Sequence, residues 1–569
     1  MPLRFYKKKL AEKIDSVLGK ESQGKESILN RIVSPPKIEN GHLAFPVFEI
    51  TPEGKKPSEF AEELVQKIKK EKWIQKIEPV GPYINVFLNE KEFFEKTLKE
   101  SVNETKKEKK TPVMVEYASP NTNKALHIGH LRNIALGITI INLFEQSGHP
   151  VIKTQVMNDR GVHICKSMLA YQKWGKNETP ESTGIKSDHF VEKNYLNFVQ
   201  KAKENPKLEE EAQEMLQKWE KGDEKTIKLW EKMRAWAHHG IFETYNVLGA
   251  EFDKTYYESE LFEEAKEIVN MGLEKGIFVK AENGAVIAPL KKFNLEDKPI
   301  LRGDGTSLYI TQDIYMALKR FEEHPQIDRI VYVVGSEQEM HFKQLFAILE
   351  LLGIKQASQC YHLCYNLVTT KEGKISTRSG TAVDADGLIE QLMELAKKEL
   401  KKRNEKMNEK EINRRSKIIA LSALKFFMLK SDAKKTVLFN PEESISLEGQ
   451  TGPYVLYTYA RCSSILKKTE EKPHSEKTEL LTETKEKELI YLLAKKEEIL
   501  ENSLSHYSPH ILVHYLLELS NAFNSYYHET KIIQEKKELE QARLALVQSI
   551  QKTIGNCLNI IGIETMEEM

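Results

Sequence analysis

The stretch "VEYASPNTNKALHIGHLRN", Val115 to Asn133, decides how the chain is to be read. It runs from an apolar segment through small and polar residues into two histidines around a glycine, then into an apolar-periodic run ending near Gln146. That order predicts a strand followed directly by a helix. The start of such a helix offers unpaired backbone N–H groups and the positive end of the helix dipole, which favour a bound anion. His127 and His130 add hydrogen-bond donors, and Gly129 removes a side chain where a flat ring could approach. These residues describe a nucleoside triphosphate site. Histidines near a helix start are also commonly packed or solvated, so the stretch needs its context.

Working outward, PVMVEYA reads as a strand, SGHP as a turn and VIKTQVM as a second strand, which makes a βαβ unit. DRIVYVVGSE, HFKQLFAILELLG and YHLCYNLVTT repeat the alternation, so a parallel sheet covered by helices is expected over residues 106–385. The polar segment 175–300 is expected to be an insertion within it. Residues 1–105 mix amphipathic stretches such as EFAEELVQKIKK with short apolar runs such as YINVFL, the pattern of a small α+β domain. From Asp386 onward nearly everything has helical periodicity. The fold class is therefore multidomain: an α+β N-terminal domain, a Rossmann-like α/β domain, a helical stem over 386–450 and an all-α bundle over 451–569.

The 569 residues carry 85 Lys+Arg and 85 Asp+Glu, so a polyanionic partner must be met by a local basic surface rather than by the whole molecule's field. No apolar run matches a signal-peptide core or a membrane span, and IIALSALKFFML is broken by lysine. The expectation is a soluble cytoplasmic protein with no membrane partner. Of the five cysteines only CYHLC brings two together, without a second pair to complete a zinc tetrad, and its alternation is that of a strand. No protein-held metal is expected.

The stretch SPNTNKALHIGHLRN resembles the HIGH signature of class I aminoacyl-tRNA synthetases, in the form found in the arginyl-tRNA synthetase family. LYITQD (308–313), YVVGSEQEMH (332–341), GKISTRSG (373–380) and EGQTGPYVLYTYAR (448–461) resemble that family's later blocks in its order, and the ending resembles its last helices. The resemblance implies a monomeric enzyme that uses ATP, with Mg2+, to activate L-arginine and passes the arginyl group to tRNA(Arg). It further implies an N-terminal tRNA-binding domain and a C-terminal anticodon-binding domain. By the same resemblance His127, Gly129 and His130 contact ATP, and Lys374 and Ser376 belong to a loop closing over the triphosphate. The usual second lysine of that loop is Thr377 here, in KISTR. Its charge is then supplied either by Lys124, which the family pattern favours, or by Arg378.

Arginine's planar cation is best met by a carboxylate accepting two hydrogen bonds. Asp313 fits, four residues after Tyr309, so that one helix face can present both. Taken alone, Asp313 also reads as an acid paired with a helix dipole. Glu116, Asn121 and Gln338 match the family's other substrate-contacting positions. Tyr454, Tyr457 and Arg461 share one helical face; Tyr454 and Tyr457 resemble family positions near the anticodon loop and Arg461 is expected to grip phosphate there, although such an aromatic stripe is also a core pattern. NDRG, 158–161, varies from the family's usual block and receives no role. A cysteine-specific sister enzyme would show zinc ligands, a small HxGH nucleotidyltransferase would not need the helical tail, and a non-enzymatic tRNA-binding paralogue should have lost histidines or acids.

Overall fold

The computed structural model describes residues 2–19, 22–103, 107–261, 265–303, 308–370, 384–403 and 406–569. They form two compact units, one of Lys107–Ile445 with Ile560–Gly562, the other of Met1–Lys106, Ser446–Asn559 and Ile563–Met569.

The first unit is built on five parallel strands: β1 (Val113–Glu116), β2 (Val151–Met157), β3 (Lys254–Tyr257), β4 (Ile330–Gly335) and β5 (Tyr361–Tyr365). Their order is β5-β4-β1-β2-β3. β1 lies in the middle and all four of its residues are buried, as expected for a central parallel strand with both faces covered. Helix α1 (Ile128–Gln146) follows it, apolar nearly all round and correspondingly buried, which makes it a core element rather than a surface one. Its close approach to the sheet depends on Gly137, where a Cβ would lie 2.4 Å from the Tyr117 ring.

A second set of helices has a core of its own around Met168, Phe190, Phe198, Trp230 and Met233. It includes α2 (Ser187–Glu204) and α3 (Glu224–Leu248). The expected insertion over 175–300 needs correction at this point, because Lys254–Tyr257 within it is strand β3, paired in parallel with β2. Only four residues long and starting with a lysine, KTYY carries almost no strand signature of its own. A small antiparallel sheet spans 279–301, and α4 (Tyr309–Glu323) then leads back to β4. Helix α5 (Ala385–Arg403) opens the helical run. That run is interrupted by Val437–Phe439, which pairs in parallel with Val368–Thr370.

The second unit joins a three-stranded antiparallel sheet (43–46, 83–88 and 74–80 in spatial order) and its helices to the C-terminal helices. Among the latter are α6 (Gly452–Lys467) and α7 (Pro509–Glu529). No helix of the described residues is long and apolar enough to cross a membrane.

Candidate active site and tRNA cleft

β1 ends at Glu116, and the chain turns through Ala118 (φ 69°) and Ser119 (φ 38°), both in the left-handed region that non-glycine residues seldom occupy. The turn is held from several sides. Asn133 of α1 accepts the Ala118 N–H at 2.6 Å and donates to the Val333 carbonyl at 2.7 Å. Ser119 Oγ accepts the Val156 N–H at 3.0 Å, and Asn158 exchanges backbone hydrogen bonds with Pro120 and Thr122. This fixes the approach to the histidines at the carboxyl ends of β1 and β2, where open parallel sheets bind ligands.

His127 is the N-cap of α1. Its Nδ1 accepts the Gly129 N–H at 3.1 Å, and His130 Nδ1 accepts the His127 N–H at 3.0 Å. Because both Nδ1 atoms are acceptors, both rings are neutral and carry their hydrogen on Nε2. Burial, reinforced by the Lys124 ammonium, pulls His127 down to about 4, and burial with the neighbouring His127 and Lys124 pulls His130 well below its ordinary value. A Cβ on Gly129 would lie 2.9 Å from His127 Cε1, so the glycine is needed for the ring to fold back over the helix start. The pair therefore offers two uncharged donors. The cation beside them is Lys124, whose Nζ lies 5.3 Å from the Tyr195 ring centroid on α2. Lys374, Ser376, Thr377 and Arg378 fall outside the described residues. Just beyond them Asp384 bridges to His127, and the Ala385 N–H bonds the Leu126 carbonyl at 3.0 Å.

The acidic side of the site is assembled from more distant pieces. α4 begins at Tyr309, which is 73% exposed, and one turn later Asp313 Oδ2 meets His341 Nε2 at 2.6 Å. Glu258, directly after β3, is pushed up to about 7 by burial and by the negative charges of Asp159 and Asp313, with Arg160 opposing. Glu258 is thus close enough to Asp313 and to Tyr309 for their charges to bear on one another. Asp159 of NDRG is fully buried and accepts from Ser259 N at 3.0 Å, Ser259 Oγ at 2.9 Å and Arg234 at 3.2 Å. That segment therefore holds the turn carrying Glu258. Gln338 is exposed at the start of the helix after β4, and Asn121 is exposed on the turn before Lys124.

Glu116, expected among the substrate-contacting residues, is engaged within the protein. Its Oε2 forms a buried ion pair with Arg320 of α4 at 2.6 Å, and the Arg320 guanidinium also lies 4.8 Å from the Tyr256 ring. That carboxylate ties β1 to α4 through an internal guanidinium. Sequence reasoning missed Arg320, Glu258 and His341. An acid directly after a strand, as in YYES, was the one signal available for Glu258. In CYHLC, Cys364 is buried and Cys360 partly so; both thiols are pushed up by burial, Cys360 to about 11.

In the other unit, Thr451 caps α6 and sets the predicted face. The structure divides that face. Tyr454 OH donates to Asn521 Oδ1 at 2.7 Å and accepts from Asn524 Nδ2 at 3.0 Å, both on α7. Arg461 bonds Asn524 and lies over the rings of Tyr457 (4.7 Å) and Tyr527 (4.8 Å). Tyr457, Arg461, Lys468, Tyr527 and Lys531 line a cleft of about 780 Å³. Tyr457 is partly buried and Tyr527 exposed; accessible aromatic rings beside cations suit unstacked nucleobases and their phosphates.

Three family models match the chain: the class I (R) tRNA synthetase catalytic domain over residues 94–440, the DALR anticodon binding domain over 455–569 and the arginyl tRNA synthetase N terminal domain over 5–88. The arginine–tRNA ligase of Treponema denticola is 43% identical over 561 residues, 95% of this chain and 94% of that protein. That of Borrelia hermsii is 40% identical over 579 residues, 98% of each. The arginyl-tRNA synthetase structure from Thermus thermophilus superposes with a TM-score of 0.85 at 26% identity, covering 99% of both chains. The Plasmodium falciparum structure, at 20% identity and TM-score 0.80 over 98% of this chain and 99% of that one, shares the fold.

Proposed function

The chain belongs to the class I arginyl-tRNA synthetases, and we propose from that premise how its residues divide the work. It ligates L-arginine to tRNA. An arginine carboxylate oxygen attacks the α-phosphorus of ATP, the bond to pyrophosphate breaks, and the tRNA terminal ribose hydroxyl then takes the arginyl group and releases AMP. Both steps pass through charged transition states that fixed donors and charge stabilise.

The observation that carries this division is the neutral histidine pair beside Lys124. His127 and His130 donate to phosphate through Nε2 without contributing charge, so the positive charge at the α-phosphate comes from Lys124. Lys374 and Ser376 complete the triphosphate site. Asp313 and Glu258 take the guanidinium between them, Tyr309 covers it, and Asn121 and Gln338 approach the amino-acid backbone. Glu116 holds α4 in place through Arg320. Tyr457 and Arg461 contact the anticodon loop, and Tyr454 supports them through α7. Mg2+ enters as the partner of the ATP phosphates, because hard cations of this size bind mainly phosphate oxygens and water. Of the three metal-competent side chains that cluster among the described residues, Asp188 and Asp386 already pair with the Lys186 ammonium and His189 bonds Asp386, which disfavours a resident ion there. The enzyme acts as a monomer, which sedimentation tests. The deciding experiment is ATP–pyrophosphate exchange with each of the twenty amino acids, with and without tRNA. Exchange with arginine and tRNA is expected; exchange driven by lysine or cysteine overturns the reading.

A further inference from the structure

One face of α2 carries Asp188, Glu192 and Tyr195, the second four and the third seven residues after the first, with His189 next to Asp188 in the first turn and Lys186 at the N-cap. Its first turn grips the start of α5. Asp386 Oδ2 accepts from Lys186 Nζ at 2.7 Å and His189 Nε2 at 2.9 Å, and its Oδ1 accepts from Thr244 Oγ1 of α3 at 2.8 Å. These bonds outweigh burial and hold Asp386 down at about 2. Beneath them Asp188 is fully buried, accepting the His189 N–H and pairing with Lys186 at 3.3 Å. Gly240 of α3 admits this carboxylate, since a Cβ there would fall 2.2 Å from Asp188 Oδ1. Further along the same face Glu192 takes the Ala125 N–H, and the Tyr195 ring lies under the Lys124 ammonium. The two grips close on each other, because Asp384 and Ala385 pair with His127 and Leu126 through the backbone.

We propose that α2 is a strut for the activation step: Lys186 and His189 fix Asp386, Glu192 and Tyr195 fix Ala125 and Lys124, and these side chains are positioning residues for adenylate formation. This rests on the role given to Lys124 above. A polar insertion needs only solvated faces; the deeply buried Asp188 and the fully engaged Asp386 show this face committed to the turn that carries the histidines. Displacement by an ångström of a charge matched to a transition state costs turnover more than binding.

The test uses the full chain with tRNA, measuring arginine-dependent pyrophosphate exchange and melting temperature. Asp386→Asn is expected to lower kcat roughly tenfold, with the KM for arginine unchanged. In a Lys124→Ala background the same change should cost little further, because the strut then has no ammonium to place. A loss that multiplies with that of Lys124→Ala, or that falls on the arginine KM, overturns the strut. Should Asp386→Asn unfold, Tyr195→Leu at the other end decides: several-fold lower kcat supports the proposal, and an unaltered kcat refutes it. Wild-type exchange driven by a different amino acid would overturn the proposed function instead, and the strut would then be judged with that amino acid.

Discussion

The ends of the site proposed for ATP and for arginine are built in opposite ways. Lys124, His127, Gly129 and His130 lie within seven consecutive residues, and their geometry follows from one helix start: a cap, a glycine and two rings bonded to backbone. The arginine end draws Glu258 from the end of β3, Asp313 from α4 and His341 from the helix after β4, and its chemistry lies in side-chain charge. The first region is neutral except for one lysine. The second concentrates negative charge against burial. Damage to the first should therefore appear in turnover, and damage to the second in arginine affinity.

The sharpest way to break this contrast is Lys124→Ala. With both histidines neutral, the ammonium is proposed to carry the charge that the signature loop lacks at Thr377. Exchange turnover should fall by about 10²- to 10³-fold, the scale of losing one preorganised electrostatic contact, while the KM for ATP moves little. A silent Lys124→Ala together with a crippling Arg378→Ala would transfer the role. Next comes Asp313→Asn, which keeps shape but loses charge. The arginine KM should rise about tenfold or more, from a charge-assisted bond worth roughly 1.5–3 kcal/mol, with kcat nearly preserved. A kcat loss with unchanged KM would erase the distinction between the two ends.

The contrast also explains what the sequence could reveal. The histidine turn was legible because its residues are contiguous and their function depends on local backbone geometry. The parallel sheet was legible where its strands are long apolar runs such as IVYVVG, whereas β3 was hidden because four residues led by a lysine have no period to detect. Glu258 was hidden with it, since its meaning comes from Asp159 and Asp313, one about 100 and the other about 55 positions away in sequence, at the sequence scale on which folds bring elements together. The partner of Glu116 is hidden for the same reason: nothing in VMVE announces Arg320, two hundred residues later.

The helical cleft extends the comparison to a surface where one aromatic stripe divides between packing and an open cleft proposed to bind tRNA. Tyr454 is tied to Asn521 and Asn524, while Tyr457 lines the cleft with Arg461 and Tyr527. Tyr457→Ala should weaken tRNA binding by roughly 1 kcal/mol, the lower end for a base stacked on a ring, because Tyr527 keeps a second ring beside the arginine. Its melting temperature should hardly change. A destabilised variant with normal tRNA affinity would return Tyr457 to the core.

The smallest expected effect is the most specific to the acidic end. Glu258 stands at about 7, raised by burial and by Asp159 and Asp313, with Arg160 acting the other way. The sign follows from which form binds. Arginine's guanidinium is charged at every accessible pH, and it favours the ionised carboxylate, so binding drives a proton off Glu258. Affinity for arginine should therefore rise with pH through the window around 7 and level off above it, by about threefold between pH 6.5 and 7.5 for a single group with that midpoint. Folding stability should move the other way. A carboxyl raised above its ordinary value favours the protonated form in the folded chain, so its contribution declines as pH climbs from the ordinary carboxylate range towards 7. Glu258→Gln removes both dependences. Calorimetric titration of arginine at several pH values, wild type beside variant, reads the first directly. A pH dependence that survives in Glu258→Gln would assign the proton to another group and leave Asp313 as the only carboxylate facing the guanidinium.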